Sequence, residues 1–188
     1  CPLTLALVAI SGCPIQSMSA CATRERDCRK ASRPAALTPA HWDMALLDEN
    51  WKPFVYQDAD LVGITAFTAS ANRAYEIAAA YRERGVPVVM GGIHASMRTE
   101  EAQRFVDAVV VGEAEMAWPQ VVADVEAGKL ERVYRGEWTD LAGLPRPRRD
   151  RFHPGYMFAS VQTSRGCPMD CEFCSVTAFN GRRYRRRP

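Results

Sequence analysis

The stretch "SRGCPMDCEFCSV" (164–176) sets Cys167, Cys171 and Cys174 within eight positions, in the order C-x3-C-x2-C. Thiolates are soft ligands suited to zinc and to iron–sulfur clusters. No fourth cysteine follows before Pro188. A closed zinc site takes four ligands, and the candidates for the fourth are His153, His94 or a distant cysteine. A four-iron cluster on three thiolates would leave one iron without a protein ligand, free to bind a small molecule directly. On spacing alone, zinc, a cluster and a structural thiol group all stay open.

The other cysteines, Cys1, Cys13, Cys21 and Cys28, match none of the paired zinc spacings. Seven cysteines also make an odd count for a disulfide framework, which fits a reducing cytoplasm. The net charge of +2 conceals an asymmetry. From Pro145 to Pro188 ten arginines face only Asp150, Asp170 and Glu172, leaving the rest of the chain acidic. Such a basic segment can meet phosphates, or can simply be solvated. No apolar run approaches the roughly 18 residues that span a bilayer. "PLTLALVAISGC" looks like a lipoprotein cleavage site at Cys13, but it lacks the basic n-region and initiator Met of an export signal. The chain opens on Cys1 and closes on Pro188 with no stop signal, so it reads as a fragment cut at both ends.

The elements that must position chemistry follow a clear rhythm. "DLVGITAF" (60–67), "VPVVMGG" (86–92) and "DAVVVGE" (107–113) are near-continuous apolar runs, and "HWDMALLDEN" (41–50) reads as another strand. Between them, Ala74, Ile77, Ala78 and Tyr81 fall at helical spacing, with Ser70 as N-cap and Gly85 as stop. A short helix begun by Thr99 is expected to bury Ala102, Phe105 and Val106. A further one presents Trp118, Val121, Val122 and Val125 before Gly128. Alternating apolar strands and amphipathic helices predict an α/β fold, a doubly wound parallel sheet covered on both faces.

In such sheets ligands bind beyond the carboxyl ends of the strands. The residues there are Thr65, Ala66 and Phe67; Gly91, Gly92, Ile93 and His94; and Gly112, Glu113, Ala114 and Glu115. Paired glycines let backbone approach a ligand closely, although tight βα turns use them too. No G-x-G-x-x-G is present, which disfavours a nicotinamide dinucleotide. "DLAGLPRPRRDRFHP" (140–154) reads as a linker, and "YMFASVQTS" (156–164) as a strand entering the cysteine loop. Residues 1–36 show no clean period and are left irregular.

"TSRGCPMDCEFCSV" closely resembles the signature of radical S-adenosylmethionine (SAM) enzymes, with an aromatic just before the last cysteine. The resemblance implies that Cys167, Cys171 and Cys174 ligate three irons of a [4Fe–4S] cluster. The fourth iron would take SAM, with Phe173 beside the adenine. Upstream, "DLVGITAFT", "VVMGGIHAS", "VVVGEAE" and the "LPRPRRD" linker resemble the cobalamin-binding class of these proteins. Thr65, Ala66, Gly91, Gly92, His94, Gly112 and Glu113 would then lie at the cobalamin. The D-x-H-x-x-G motif that supplies an axial histidine elsewhere is absent, and His94 is read as a loop residue rather than a cobalt ligand.

The implied organisation is an insertion or misread segment in 1–36, a cobalamin-binding-like domain over 37–139, a linker over 140–154, and over 155–188 the first strand and cluster loop of a truncated radical SAM (β/α) barrel. The family's first strand should precede a segment like "PLTLALVA" and is expected to be missing. The implied chemistry is reductive cleavage of SAM to a 5′-deoxyadenosyl radical, with cobalamin serving methyl transfer or ring and carbon-skeleton chemistry on an unactivated carbon. This fragment alone would be inactive. A small-molecule substrate and an electron donor such as flavodoxin or ferredoxin are implied, and no nucleic-acid partner is expected. The alternatives are a tRNA methylthiotransferase-like enzyme, or a non-catalytic corrinoid or metal-binding module. The former carries cysteines in its α/β domain, and the strand ends here have none.

Overall fold

The strand Thr4–Ala9 (β1) runs through the middle of a sheet, and its side chains explain why. Leu5, Leu7 and Ala9 enter one apolar cluster, and Ala6 and Val8 enter another on the opposite face. A strand buried on both sides must be covered by helices on both sides. The computed structural model describes residues 2–10, 31–49, 51–156 and 161–188.

Five further strands complete the sheet: Asp43–Asp48 (β2), Leu61–Thr65 (β3), Val88–Gly91 (β4), Ala108–Gly112 (β5) and Val133–Gly136 (β6). The order is β2-β1-β3-β4-β5-β6, and each neighbouring pair is parallel. The chain reverses its direction of travel between β1 and β3, which makes that edge the switch point where such sheets open a crevice.

Helical residues 31–37 (α1) and Ala114–Glu126 (α5) cover one face through Ala31, Ala35, Trp118, Val121 and Val122. Ala71–Arg82 (α2) and the short helices Ile93–Met97 (α3) and Thr99–Ala102 (α4) cover the other through Ala74, Ile77, Ala78, Tyr81, Ala95 and Ala102. α2 follows the helical spacing read from its sequence, and Gly85 turns the chain beyond it with φ 75°.

Several expectations are corrected. Residues 4–9 are an internal strand and 31–37 a helix, so the sheet domain begins well before residue 37. Thr4–Ala9 is a strand of the sheet, paired between β2 and β3. "GGIHAS" enters a helix, because Gly92 with φ 92° completes the turn and leaves Ile93 to start α3. Phe105 stays 41% exposed and stacks on Tyr75 at 4.0 Å instead of entering the core.

The linker is tied down: Leu141 is buried, and Phe152 and Tyr156 pack against the α1/α5 side of the core. Of the strand expected over 156–164, residues 157–160 lie outside the described residues and 161–163 are not strand. Ser164–Arg165 (β7) pairs antiparallel with Arg185–Arg186 (β8), closing a hairpin around the cysteine loop and the helix Val176–Asn180 (α6). Among the described residues this segment pairs as an antiparallel hairpin. No helix among the described residues is long and apolar enough to cross a membrane.

Candidate functional site

Beyond the carboxyl ends of β1, β3, β4 and β5 lies a cavity of about 260 Å³. Its floor is Leu7, Gly63, Val89 and Val110 of the sheet with Trp118 of α5; its rim includes Thr65, Gly91, Gly92, Gly112 and Glu113. Gly63 lets two side chains of the floor close over the strand. A Cβ there would stand 2.7 Å from Leu7 Cδ2 and 3.0 Å from Trp118 Cη2. Glycine inside a strand weakens it unless something approaches closely, and here Leu7 and Trp118 do.

The rim glycines are not equivalent. Gly92 and Gly112 have φ of 92° and 84°, a region disfavoured for side-chain-bearing residues, and a Cβ on either would meet Thr65 Oγ1 at 2.8 Å or the Gly136 carbonyl oxygen at 2.6 Å. Gly91 is unstrained, with Val110 Cβ at 3.6 Å as the nearest atom. Ser96 joins the two turns: its hydroxyl donates to the Gly92 carbonyl at 2.8 Å and accepts from the Gly112 amide at 2.9 Å.

One wall is ionic. Glu113 and Glu115 are buried at the N-terminus of α5, where the helix dipole favours carboxylates. Arg165 contacts Glu113 at 2.7 Å and also pairs with Glu115; Arg185 grips Glu113 at 2.9 and 2.5 Å; Arg33 reaches Glu115 at 2.6 Å. Burial pushes the Glu115 carboxyl above its ordinary range, and the Arg33 guanidinium opposes that push. Burial also pulls Arg33 below its usual value, against the attraction of Glu115. Hydrogen bonding to Glu113 raises Arg185. Sequence reading placed Glu113 at a strand end but found none of Arg33, Arg165, Arg185 or Gly63.

Thr65, Gly91, Gly92, Gly112 and Glu113 are thus brought to one rim. Ala66 is buried beside them without lining the cavity. His94 turns away into the opposite face: its Nε2 is 2.8 Å from the Tyr75 hydroxyl and its Nδ1 3.3 Å from Thr68 Oγ1. Both ring nitrogens are engaged there. Burial and the Glu101 carboxylate push the Tyr75 hydroxyl up to about 12.

The cysteine loop hangs between β7 and α6. Cys171 is exposed, Cys167 and Cys174 are half-buried, and all three are free thiols. Among the described residues no three His, Cys, Asp or Glu side chains converge as a metal-holding group. The two histidines considered as a fourth zinc ligand are committed elsewhere, since His153 stacks on Trp51 at 4.1 Å and His94 sits with Tyr75. In donor chemistry the loop suits a thiolate-ligated group: three thiols on one short span, within reach of solvent. Phe173 is 94% exposed. An aromatic that packs on nothing contributes little to folding, so Phe173→Ala is expected to shift the urea unfolding free energy by less than about 0.5 kcal/mol. A loss several times larger would show that the ring is a packing residue.

Comparison with known proteins bears on the cavity directly. The B12-binding domain family model matches residues 37–122, which span β2 to α5 and carry nearly the whole rim. Residues 37–122 belong to the B12-binding domain family. Full-length relatives extend the likeness across the chain. Bacteriochlorophyllide d C-8(2)-methyltransferase of Chlorobaculum tepidum is 35% identical over 161 residues, covering 80% of this chain and 36% of that protein. The C-12(1)-methyltransferase of the same organism is 30% identical over 169 residues, covering 81% and 36%. Hopanoid C-2 methylase of Rhodopseudomonas palustris is 29% identical over 160 residues, covering 80% and 30%. The chain spans about a third of the length of these relatives. The glycine rim of the cavity lies within the matched residues, and Arg165, Phe179 and Asn180 of the β7–β8 hairpin also line the cavity.

Proposed function

We propose that this chain supplies the cobalamin cradle and the cluster loop of a radical SAM methyltransferase. The observation that carries this reading is the single cavity wall shared by a B12-binding domain and the hairpin that bears C-x3-C-x2-C. The relatives' names, two bacteriochlorophyllide methyltransferases and a hopanoid methylase, support methyl transfer to carbon as the reaction class.

In this reading Thr65, Gly91, Gly92 and Gly112 offer close backbone approach to the corrinoid at the rim, while Leu7, Gly63 and Trp118 receive an apolar part of it in the cavity. Ala66 and His94 shape the turns from behind. Cys167, Cys171 and Cys174 hold the [4Fe–4S] cluster, and exposed Phe173 is free to stack on the adenine of SAM. When bound, the cluster and SAM supply hydrogen abstraction and the corrinoid supplies the methyl group. The chain's own residues orient both and keep water from the apolar floor. Residues 155–188 then begin the radical SAM domain, after a linker over 140–154. A small-molecule substrate and a small electron-transfer protein complete the system.

Anaerobic reconstitution tests the cysteine assignment. About four irons and four sulfides per chain are expected, with loss on Cys171→Ala. One tightly held zinc without sulfide would overturn it. For the cradle, a corrinoid absorption spectrum is expected to travel with the protein through gel filtration, and its complete separation would remove cobalamin from the proposal.

A further inference from the structure

The cysteine loop leaves and rejoins the molecule through one narrow neck. Arg165 of β7 is paired in register with Arg185 of β8, and Cys167 lies two residues beyond Arg165. Both arginines turn to the same carboxylate. Glu113 Oε2 is 2.7 Å from an Arg165 Nη, and the Arg185 guanidinium straddles the carboxylate with contacts of 2.9 and 2.5 Å. The Glu113 side chain is 1% exposed, with Arg165 at 6% and Arg185 at 10%.

We infer that Glu113 is a positioning residue: it clamps the neck of the cysteine loop against the rim of the cavity, so that whatever the cysteines hold is set in fixed relation to whatever the cavity holds. Both its oxygens are occupied by guanidinium groups, which makes Glu113 a clamp and not a ligand of the cofactor. Its backbone is aimed by Gly112 and it stands at the N-cap of α5, so it is anchored to the sheet domain at both sides. Without it, Arg165 and Arg185 would face each other across the ladder with their charges only partly compensated. Removing one partner of a buried pair leaves the other uncompensated, which makes such contacts strong constraints on geometry even where their net stabilisation is small. A second strap acts beside it, since Trp138 Nε1 donates to the Phe179 carbonyl at 3.1 Å and its ring covers Gly181. The inference rests on the proposed function for the identity of the two cofactors, but the clamp belongs to the chain without them.

Hydrogen exchange on the full cofactor-free chain tests it. The Cys167 and Arg187 amides donate across the neck, to the Gly181 and Thr163 carbonyls. In Glu113→Gln and in Arg185→Gln these amides are expected to exchange at least tenfold faster, while the sheet amides of Val62 and Val109 stay within about twofold. Arg185→Lys, which keeps the charge on one prong, should recover part of the protection. The double variant Glu113→Gln/Arg185→Gln should accelerate exchange by less than the product of the two single effects, because the Glu113–Arg185 contact is shared; the bonds of Arg185 to the Thr139 and Asn180 carbonyls, at 2.6 and 3.0 Å, are lost only with the arginine. Arg185→Gln lies outside the sheet domain and so reports even if Glu113→Gln fails to fold. Neck amides at the parental rate in Arg185→Gln, equal acceleration of neck and sheet, or additive effects would each overturn the inference. Corrinoid retention and iron content of the unsubstituted chain are measured separately. Their failure would remove the proposed function and leave the clamp, whereas parental neck protection in Arg185→Gln would remove the clamp and leave cofactor binding.

Discussion

Gly112→Ala is expected to destabilise the chain by about 2–4 kcal/mol and to loosen the cysteine loop with it. Two costs combine. The residue holds φ 84°, which a Cβ disfavours, and the added carbon would stand 2.6 Å from the Gly136 carbonyl oxygen. Neither backbone can give way cheaply, because Gly112 and Gly136 are directly paired in the β5–β6 ladder. Gly91→Ala is the matched control. It sits at the same edge of the sheet, its φ is not positive, and its nearest neighbour is at 3.6 Å, so a change under about 1 kcal/mol is expected. Denaturant unfolding midpoints for the two variants decide the matter: equal midpoints would mean that the crossing at Gly112 is not the constraint described. Because Glu113 follows immediately, the Gly112 variant should also raise alkylation of Cys167 under native conditions.

The sheet was legible where apolar runs were long and clean. Val62–Ile64, Val88–Met90 and Ala108–Val110 are buried on both faces, and such strands write themselves as continuous hydrophobic sequence. The strand over Thr4–Ala9 was missed for a topological reason. Leu5–Ala9 pairs with both β2 and β3, yet the chain passes through 33 intervening residues before Asp43, and no local pattern connects them. The rim was half legible. Strand ends could be found by counting, so Thr65, Gly91, Gly92, Gly112 and Glu113 were found.

What Glu113 touches was not legible. Its partners Arg165 and Arg185 are 52 and 72 residues away in a segment whose arginines read equally well as a solvated run. Ion pairs at that separation carry no periodicity. His94 illustrates the opposite error. Two glycines before it suggest a loop near the ligand, but Gly92 spends its positive φ on the turn, and the helix that follows carries His94 round to Tyr75 on the other face. A rim position in sequence is a position of the backbone; which way the side chain leaves is decided by the element that starts there.

Gly63→Val should separate the cavity from the loop. A Cβ at residue 63 already presses on Leu7 Cδ2 and Trp118 Cη2, so the two further methyl groups of valine have only the cavity to occupy, directly or by pushing Leu7 into it. Overpacking of this kind costs about 1–3 kcal/mol, and Leu7 is a flexible neighbour able to yield toward a void, so the chain should still fold. Corrinoid retention is expected to fall at least tenfold, because the space that would receive the ligand is taken. Iron and sulfide content after reconstitution should be unchanged, since the cysteines lie on a separate hairpin. Val62→Ala supplies the comparison: Val62 lies in the same strand but on the α2 face, and its loss costs about 2 kcal/mol without touching the cavity. If both variants lose corrinoid equally, stability and not the cavity governs binding. If Gly63→Val binds as the parent does, the ligand does not enter between Leu7 and Trp118. Loss confined to Gly63→Val, with iron intact, is the result that puts the corrinoid in this cavity and the cluster outside it.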